Sequence, residues 1–202
     1  MKILELLCNP RPASFNRALA DLARASLSVA GHEVLFHDLY AENFDPVLDS
    51  AELARGFSLD PLVQSHCRQL AEADGLFIVH PDWWGQPPAL LKGWIDRVLR
   101  QGIAYDLDGA EFSEKAWTPL LSGKEALVCV TSDSGDTESA LAIERLWTKT
   151  ILGRCGMVGE CRVLPNLRKT GQGELASWMA GMESRLAEKF PAGDEVRRGA
   201  LS

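Results

Sequence analysis

His80-Pro-Asp-Trp-Trp-Gly-Gln-Pro-Pro-Ala-Leu-Leu-Lys-Gly-Trp-Ile-Asp-Arg-Val98 decides how this chain is read. It follows Gly75-Leu-Phe-Ile-Val79, an uninterrupted apolar run of strand length, and passes through Pro87-Pro88 into an amphipathic helix. Proline is tolerated in the first turn of a helix, so strand, turn and helix follow one another directly. Two adjacent tryptophans in such a turn would stand at the carboxyl edge of a sheet, where open α/β folds bind ligands. A bare indole pair in an ordinary surface loop would be a liability, so its placement asks for a ligand or a partner subunit.

Outward from this stretch, strands and helices alternate. Ile3 to Cys8 is a short apolar run that stops at Asn9-Pro10. Asn16 to Ala30 carries Leu19, Leu22, Ala23 and Leu27 on one helical face, and Gly31 ends it. Glu33 to Asp38 reads as the second strand, Pro61 to Ala73 as a helix, and Leu76 to His80 as the third strand. Lys124 to Thr131 and Val158 to Leu164 are the fourth and fifth strands, with helices from Glu138 to Leu152 and from Glu174 to Phe190. The alternation predicts a parallel sheet covered on both faces. The expectation is one domain over residues 1–190, followed by a disordered tail from Pro191 to Ser202.

Composition narrows the function classes. The 202 residues are 46% apolar and 24% charged, as in one globular domain with a sizeable core. A net charge of -7 and a pI near 5.1 argue against nucleic acid or an anionic membrane as the main partner. No segment is long and apolar enough to suggest membrane insertion. Glu5 interrupts the first apolar run, and no small-residue cleavage site follows, so the N-terminus reads as a strand and not a signal peptide. Five cysteines without a C-x-x-C pair predict reduced thiols in a cytoplasmic protein. His32 and His37 flank the second strand and His66 sits on a helix without ligand spacing, so no metal is expected. His80 closes the third strand, where a neutral, hydrogen-bonded imidazole is the commoner role.

The turn after the first strand, Cys8-Asn-Pro-Arg-Pro-Ala-Ser-Phe-Asn-Arg17, lacks both common nucleotide fingerprints. It nonetheless places Ser14 and Asn16 at a helix start, with Arg11 and Arg17 nearby. Free N–H groups and a partial positive charge there suit a phosphate, while a plain helix cap by Ser14 accounts for the same residues. The loop after the second strand is Asp38-Leu-Tyr-Ala-Glu-Asn-Phe-Asp-Pro46. The carboxylates Asp106, Asp108, Glu111 and Glu114 read as a solvated hairpin or a dimer arm, and packing is the default for Phe112, Trp117 and Trp147.

Taken together, the Ser14-Phe-Asn16 turn, the Asp38-Leu-Tyr40 segment running to Pro46, and Pro81 to Val98 with Gly102-Ile-Ala-Tyr105 behind it resemble the flavodoxin-like NAD(P)H:quinone oxidoreductases. The resemblance covers about the first 130 residues well and the rest in outline. It implies a flavodoxin-like, doubly wound α/β fold whose five parallel strands run in the order 2-1-3-4-5. It implies a homodimeric flavoprotein that binds FMN or FAD and passes two electrons from NAD(P)H to quinone-like acceptors by ping-pong hydride transfer. Carried over residue by residue, it implies that Asn9, Arg11, Ser14, Phe15 and Asn16 hold the flavin phosphate end. Pro81, Asp82, Trp83, Trp84 and Gly85 would follow the ring edge, and Thr131, Ser132, Asp133 and Ser134 its pyrimidine side. Trp83 and Trp84 would shape the substrate cavity, with Tyr105 reaching across the dimer to roof the partner's site. The chain departs from the family at Thr131-Ser-Asp-Ser-Gly135, and no tyrosine or histidine lies downstream to carry a charge relay. Asp133 either opposes reduced flavin or faces solvent and caps the next helix. A redox-sensing subunit of a potassium-efflux system, a one-electron carrier and a chain with weakened flavin binding are the remaining readings.

Overall fold

The computed structural model describes residues 1–107 and 117–192. Its strands are β1 (Lys2–Leu7), β2 (Glu33–Asp38), β3 (Gly75–Pro81), β4 (Tyr105–Leu107), β5 (Trp117–Pro119), β6 (Glu125–Thr131) and β7 (Val158–Leu164). Its α-helices are α1 (Phe15–Val29), α2 (Ser50–Arg55), α3 (Pro61–Glu72), α4 (Ala89–Val98), α5 (Thr137–Arg145) and α6 (Gln172–Lys189). Five strands form one sheet in the order β2-β1-β3-β6-β7, every neighbouring pair parallel. This is the expected order once the small antiparallel hairpin of β4 and β5 is set aside.

Each face of the sheet has its own core, as a doubly wound sheet requires. Ile3, Leu7, Phe77 and Leu127 meet α1 and α6 on one side. Leu4, Leu6, Ile78 and Val128 meet Val63, Leu91, Trp94 and Trp147 on the other. Glu5 shares the α1 face of β1 and is fully buried, with both carboxyl oxygens unpartnered. Burial pushes that carboxyl up to about 8, although Arg24 and Arg17 pull the other way. All five cysteines are buried and free.

Gly93 explains one close approach. A Cβ there would lie 2.2 Å from Pro46, so only glycine lets α4 press against the loop leaving β2. That loop is not wholly irregular. It contains α2, capped by Asp49 and ended by Gly56 at φ +75°, an element too short to leave a periodic signature.

The helix expected over Glu138 to Leu152 is not continuous. It stops at Arg145 and continues as a π-helical segment, Leu146–Ile151. Thr148 Oγ1 donates to the Glu144 carbonyl at 2.7 Å, a side-chain bond that bends helices, and Trp147 turns into the core. The expected placements of Asp108, Glu111, Phe112 and Glu114, and of the tail beyond residue 192, lie outside the described residues. Among the described residues no helix is long and apolar enough to cross a membrane.

Candidate functional site

A cleft of about 430 Å³ opens at the carboxyl edge of the sheet, where the chain leaves β1 in one direction and β3 in the other. Such switch points are where open α/β sheets bind ligands, because adjacent loops diverge there. The turn between β1 and α1 forms its floor. Ser14 caps α1 by accepting the Arg17 N–H at 3.1 Å. The Phe15 and Asn16 N–H groups have no acceptor among the described residues, and both point out of the helix start. Capping by Ser14 therefore leaves the Phe15 and Asn16 donors free to receive an anion.

Asn16 sharpens the point. The residue is 2% exposed, and its Oδ1 accepts from Asn9 Nδ2 at 2.7 Å and Thr131 Oγ1 at 3.1 Å. These two bonds fix the orientation of the amide, so its Nδ2 is left as a buried donor with no partner. An unpaired buried donor is costly unless a ligand oxygen completes it. Arg11 lies on the exposed rim of the cleft. Arg17 does not reach the cleft, being held by Asp21 and Asp38.

The tryptophan turn forms one wall. Trp83 and Gln86 exchange backbone hydrogen bonds at 3.1 and 3.2 Å, and Trp84 and Gly85 between them take φ values of +60° and +72°. Glycine adopts that conformation freely, whereas a tryptophan in it is strained by about 1–2 kcal/mol. Trp84 is fully exposed, so burial does not compensate for that strain.

Thr131, at the end of β6, and Asp133, in the loop after it, line the cleft together with Pro81, Asp82 and Trp83, Thr131 lying directly beside Pro81 on the neighbouring strand. Asp136, not Asp133, caps α5, accepting from Glu138 and Ser139 N–H groups. Asp133 instead pairs with Arg168 at 2.7 Å. Arg168 and Leu167 also line the cleft. Sequence reasoning missed both, since the segment after β7 carries no motif. Among the remaining expected residues, Ser132 is buried behind the wall, while Trp84, Gly85 and Ser134 border the cleft without lining it. Tyr105 is elsewhere, stacked on Trp117 with ring centroids 3.8 Å apart.

The histidines need a correction. The fold brings His37 and His66 together around Glu42, their potential ligand atoms within 4.8 Å of one another, although their sequence spacing carries no such signal. Proton positions argue against a metal there. Trp94 Nε1–H donates to His66 Nδ1 at 2.8 Å, which leaves the proton on Nε2, facing Glu42 Oε2 at 3.2 Å. A ligating Nε2 would need the proton on Nδ1, where the indole already donates. His37 faces acceptors on both sides, Glu42 Oε1 at 2.6 Å and Gln69 Oε1. Burial lowers its basicity, but these two bonds outweigh it and the pKa is raised. Burial likewise opposes the Glu42 carboxylate, yet the His37 and His66 bonds bring it down to about 2.

The pair therefore stabilises the fold in a window. The Glu42 contribution is complete above 4.5 and is lost as pH falls toward 2, while that of His37 is complete below 6.5 and is lost as pH rises through its raised pKa. In urea titrations at acid pH, Glu42→Gln is expected to shrink the loss below pH 4.5, to which Glu52 also contributes. An unchanged acid limb would contradict the assignment. His80 is locked neutral by similar logic. Its Nδ1–H donates to the Pro81 carbonyl at 2.8 Å, its Nε2 accepts from Trp147, and burial lowers the pKa to about 4.

Comparison with known proteins follows this geometry. A family described as having a flavodoxin-like fold matches residues 1–159. Ribosyldihydronicotinamide dehydrogenase (quinone) of Pongo abelii is 34% identical over 150 residues, covering 65% of this chain and 63% of that protein. The chain thus matches less than two thirds of that relative's length. A protein of Escherichia coli named uncharacterized NAD(P)H oxidoreductase YcaK is 34% identical over 134 residues, covering 63% of this chain and 68% of that one. Among solved structures, Smu.1420 from Streptococcus mutans superposes with a TM-score of 0.81 at 27% identity, covering 93% of this chain and all of the other.

Proposed function

The chain belongs to the flavodoxin-like family, and from that membership we propose that it is a flavin-dependent NAD(P)H oxidoreductase that delivers two electrons to quinones or similar flat acceptors. The carrying observation is Asn16, whose unpaired buried donor sits beside the free N–H groups of Phe15 and Asn16 at a cleft floor. A flavin phosphate fits that donor set. The names of the relatives from Pongo abelii and Escherichia coli support the redox class and the acceptor.

A bound flavin would supply the hydride chemistry itself. This chain's residues would do the rest. The α1 turn would hold the phosphate end, Pro81 to Trp83 would fix the ring edge with preorganised backbone groups, and Trp84 would form a wall for a flat molecule. Arg168 offsets the Asp133 carboxylate, which would otherwise oppose negative charge in the cleft. NAD(P)H and acceptor would use the same open slot in turn, giving ping-pong kinetics. Tyr105 lies away from its own chain's cleft, stacked on Trp117, so any roof it forms would be over the site of a second subunit in a homodimer.

Titration with FMN and with FAD is expected to give a yellow, saturable complex that oxidises NAD(P)H in the presence of menadione, with parallel double-reciprocal plots. A protein that takes up neither flavin would sink the reading. Trp84→Gly removes strain and no burial, so stability is expected to stay within about 1 kcal/mol of the parent. The acceptor KM is expected to rise about tenfold with loss of the indole face. A large destabilisation would mean that the indole packs against protein and does not face a ligand.

A further inference from the structure

Trp84 poses a physical question. Turns with both central residues left-handed favour Asn-Gly or Asp-Gly, and a strained residue persists only where its surroundings over-determine it. The exposed ring of Trp84 makes no packing contribution of that kind. The restraint comes from Asp82. Its Oδ1 accepts the Gly85 N–H at 2.7 Å, its Oδ2 accepts the Ser132 Oγ–H at 2.8 Å, and its own N–H donates to the Thr131 carbonyl at 2.7 Å. Ser132 is 4% exposed and is itself anchored. Its N–H donates to the Leu164 carbonyl, its carbonyl accepts the Leu167 N–H, and its Oγ accepts the Ser134 N–H. Both carboxylate oxygens of Asp82 are thus engaged inside the protein, one on the tryptophan turn and one on the loop after β6.

We propose that Asp82 is a positioning residue: its tie to Ser132 sets where the turn carrying Trp83, which lines the cleft, and the exposed Trp84 stands, and through it which flat acceptors are bound. This rests on the oxidoreductase reading above and gives Asp82 a role other than that of a flavin ligand. The tie couples the adjoining loops after β3 and β6, so loosening either end moves the tryptophan turn without touching the phosphate turn. Charge-assisted hydrogen bonds of this kind are strong enough for their loss to be read directly.

The test uses Asp82→Ala, Asp82→Asn and Ser132→Ala in the full chain. Amide hydrogen exchange at Gly85, followed by NMR without cofactor, is expected to accelerate about tenfold in Asp82→Ala and several-fold in Ser132→Ala and Asp82→Asn. With flavin, the menadione KM is expected to rise in the same order, and in Ser132→Ala, whose side chain does not line the cleft, kcat and the flavin Kd are expected to change less than about threefold. Wild-type Gly85 exchange and menadione KM in Ser132→Ala would overturn the proposal. So would loss of flavin uptake in Asp82→Ala, because that makes Asp82 a direct ligand. A wild-type protein that takes up no flavin defeats the oxidoreductase reading instead, and Gly85 exchange still decides whether the tie exists.

Discussion

Asn16→Asp is expected to weaken flavin binding by about 100-fold or more while the fold is retained. The change is isosteric and keeps an oxygen in place for the donors of Asn9 and Thr131. What it replaces is the unpaired buried Nδ2 at the floor of the cleft. Losing a hydrogen bond to a charged phosphate costs about 1.5–3 kcal/mol. A carboxylate in its place would also repel a bound phosphate, which adds to that loss. Flavin fluorescence quenching measures the affinity, and far-ultraviolet circular dichroism checks the fold. A Kd within threefold of wild type would show that no phosphate is bound at this turn.

Glu5 carries the second large effect, on stability. Its carboxyl is neutral in the fold below about 8 but ionises near 4.5 when unfolded. The folded state therefore binds the extra proton between those values, and stability falls as pH rises from 4.5 to 8, then levels off. At about 1.4 kcal/mol per tenfold, the rise amounts to on the order of 5 kcal/mol. Urea midpoints of wild type and Glu5→Gln from pH 5 to 8.5 are expected to diverge by this decline, with wild type losing ground to the variant as pH rises. His80 and His66, whose basicity burial lowers, gain stability up to pH 6.5 and oppose this decline, and His37 loses stability above it, so the difference between wild type and Glu5→Gln isolates Glu5. A Glu5→Gln midpoint that runs parallel to wild type from pH 5 to 8.5 would mean that Glu5 is paired or solvated.

The strands of the sheet were legible because fully buried parallel strands read as continuous apolar runs, as Gly75-Leu-Phe-Ile-Val79 and Lys124 to Thr131 do. Their ends shifted by only a residue or two. The α1 turn was legible in part: Ser14 and Asn16 stood at a helix start, but nothing in the order of residues says that Asn9 and Thr131 hold the Asn16 amide. Arg168 was invisible, since it reaches Asp133 from a single helical turn 35 positions further along the chain. The break in the helix at Leu146 could not be read either, because helical periodicity alone does not register a change from α to π winding.

The chain's own residue pattern determined the alternation of strands and helices, the site at the sheet edge, and the resemblance that led to a flavin. Periodicity and short motifs are local, and each is imposed by a few consecutive side chains. Tertiary structure alone decided which of those motif residues face a ligand and which hold the scaffold. It turned Asp82 inward onto Gly85 and Ser132, gave the cap of α5 to Asp136, and gathered His37, Glu42 and His66 into a cluster whose protons are already assigned. The reason is physical. A carboxylate or an imidazole acquires its role from donors and acceptors that arrive from distant segments, and only the closed fold sets those distances.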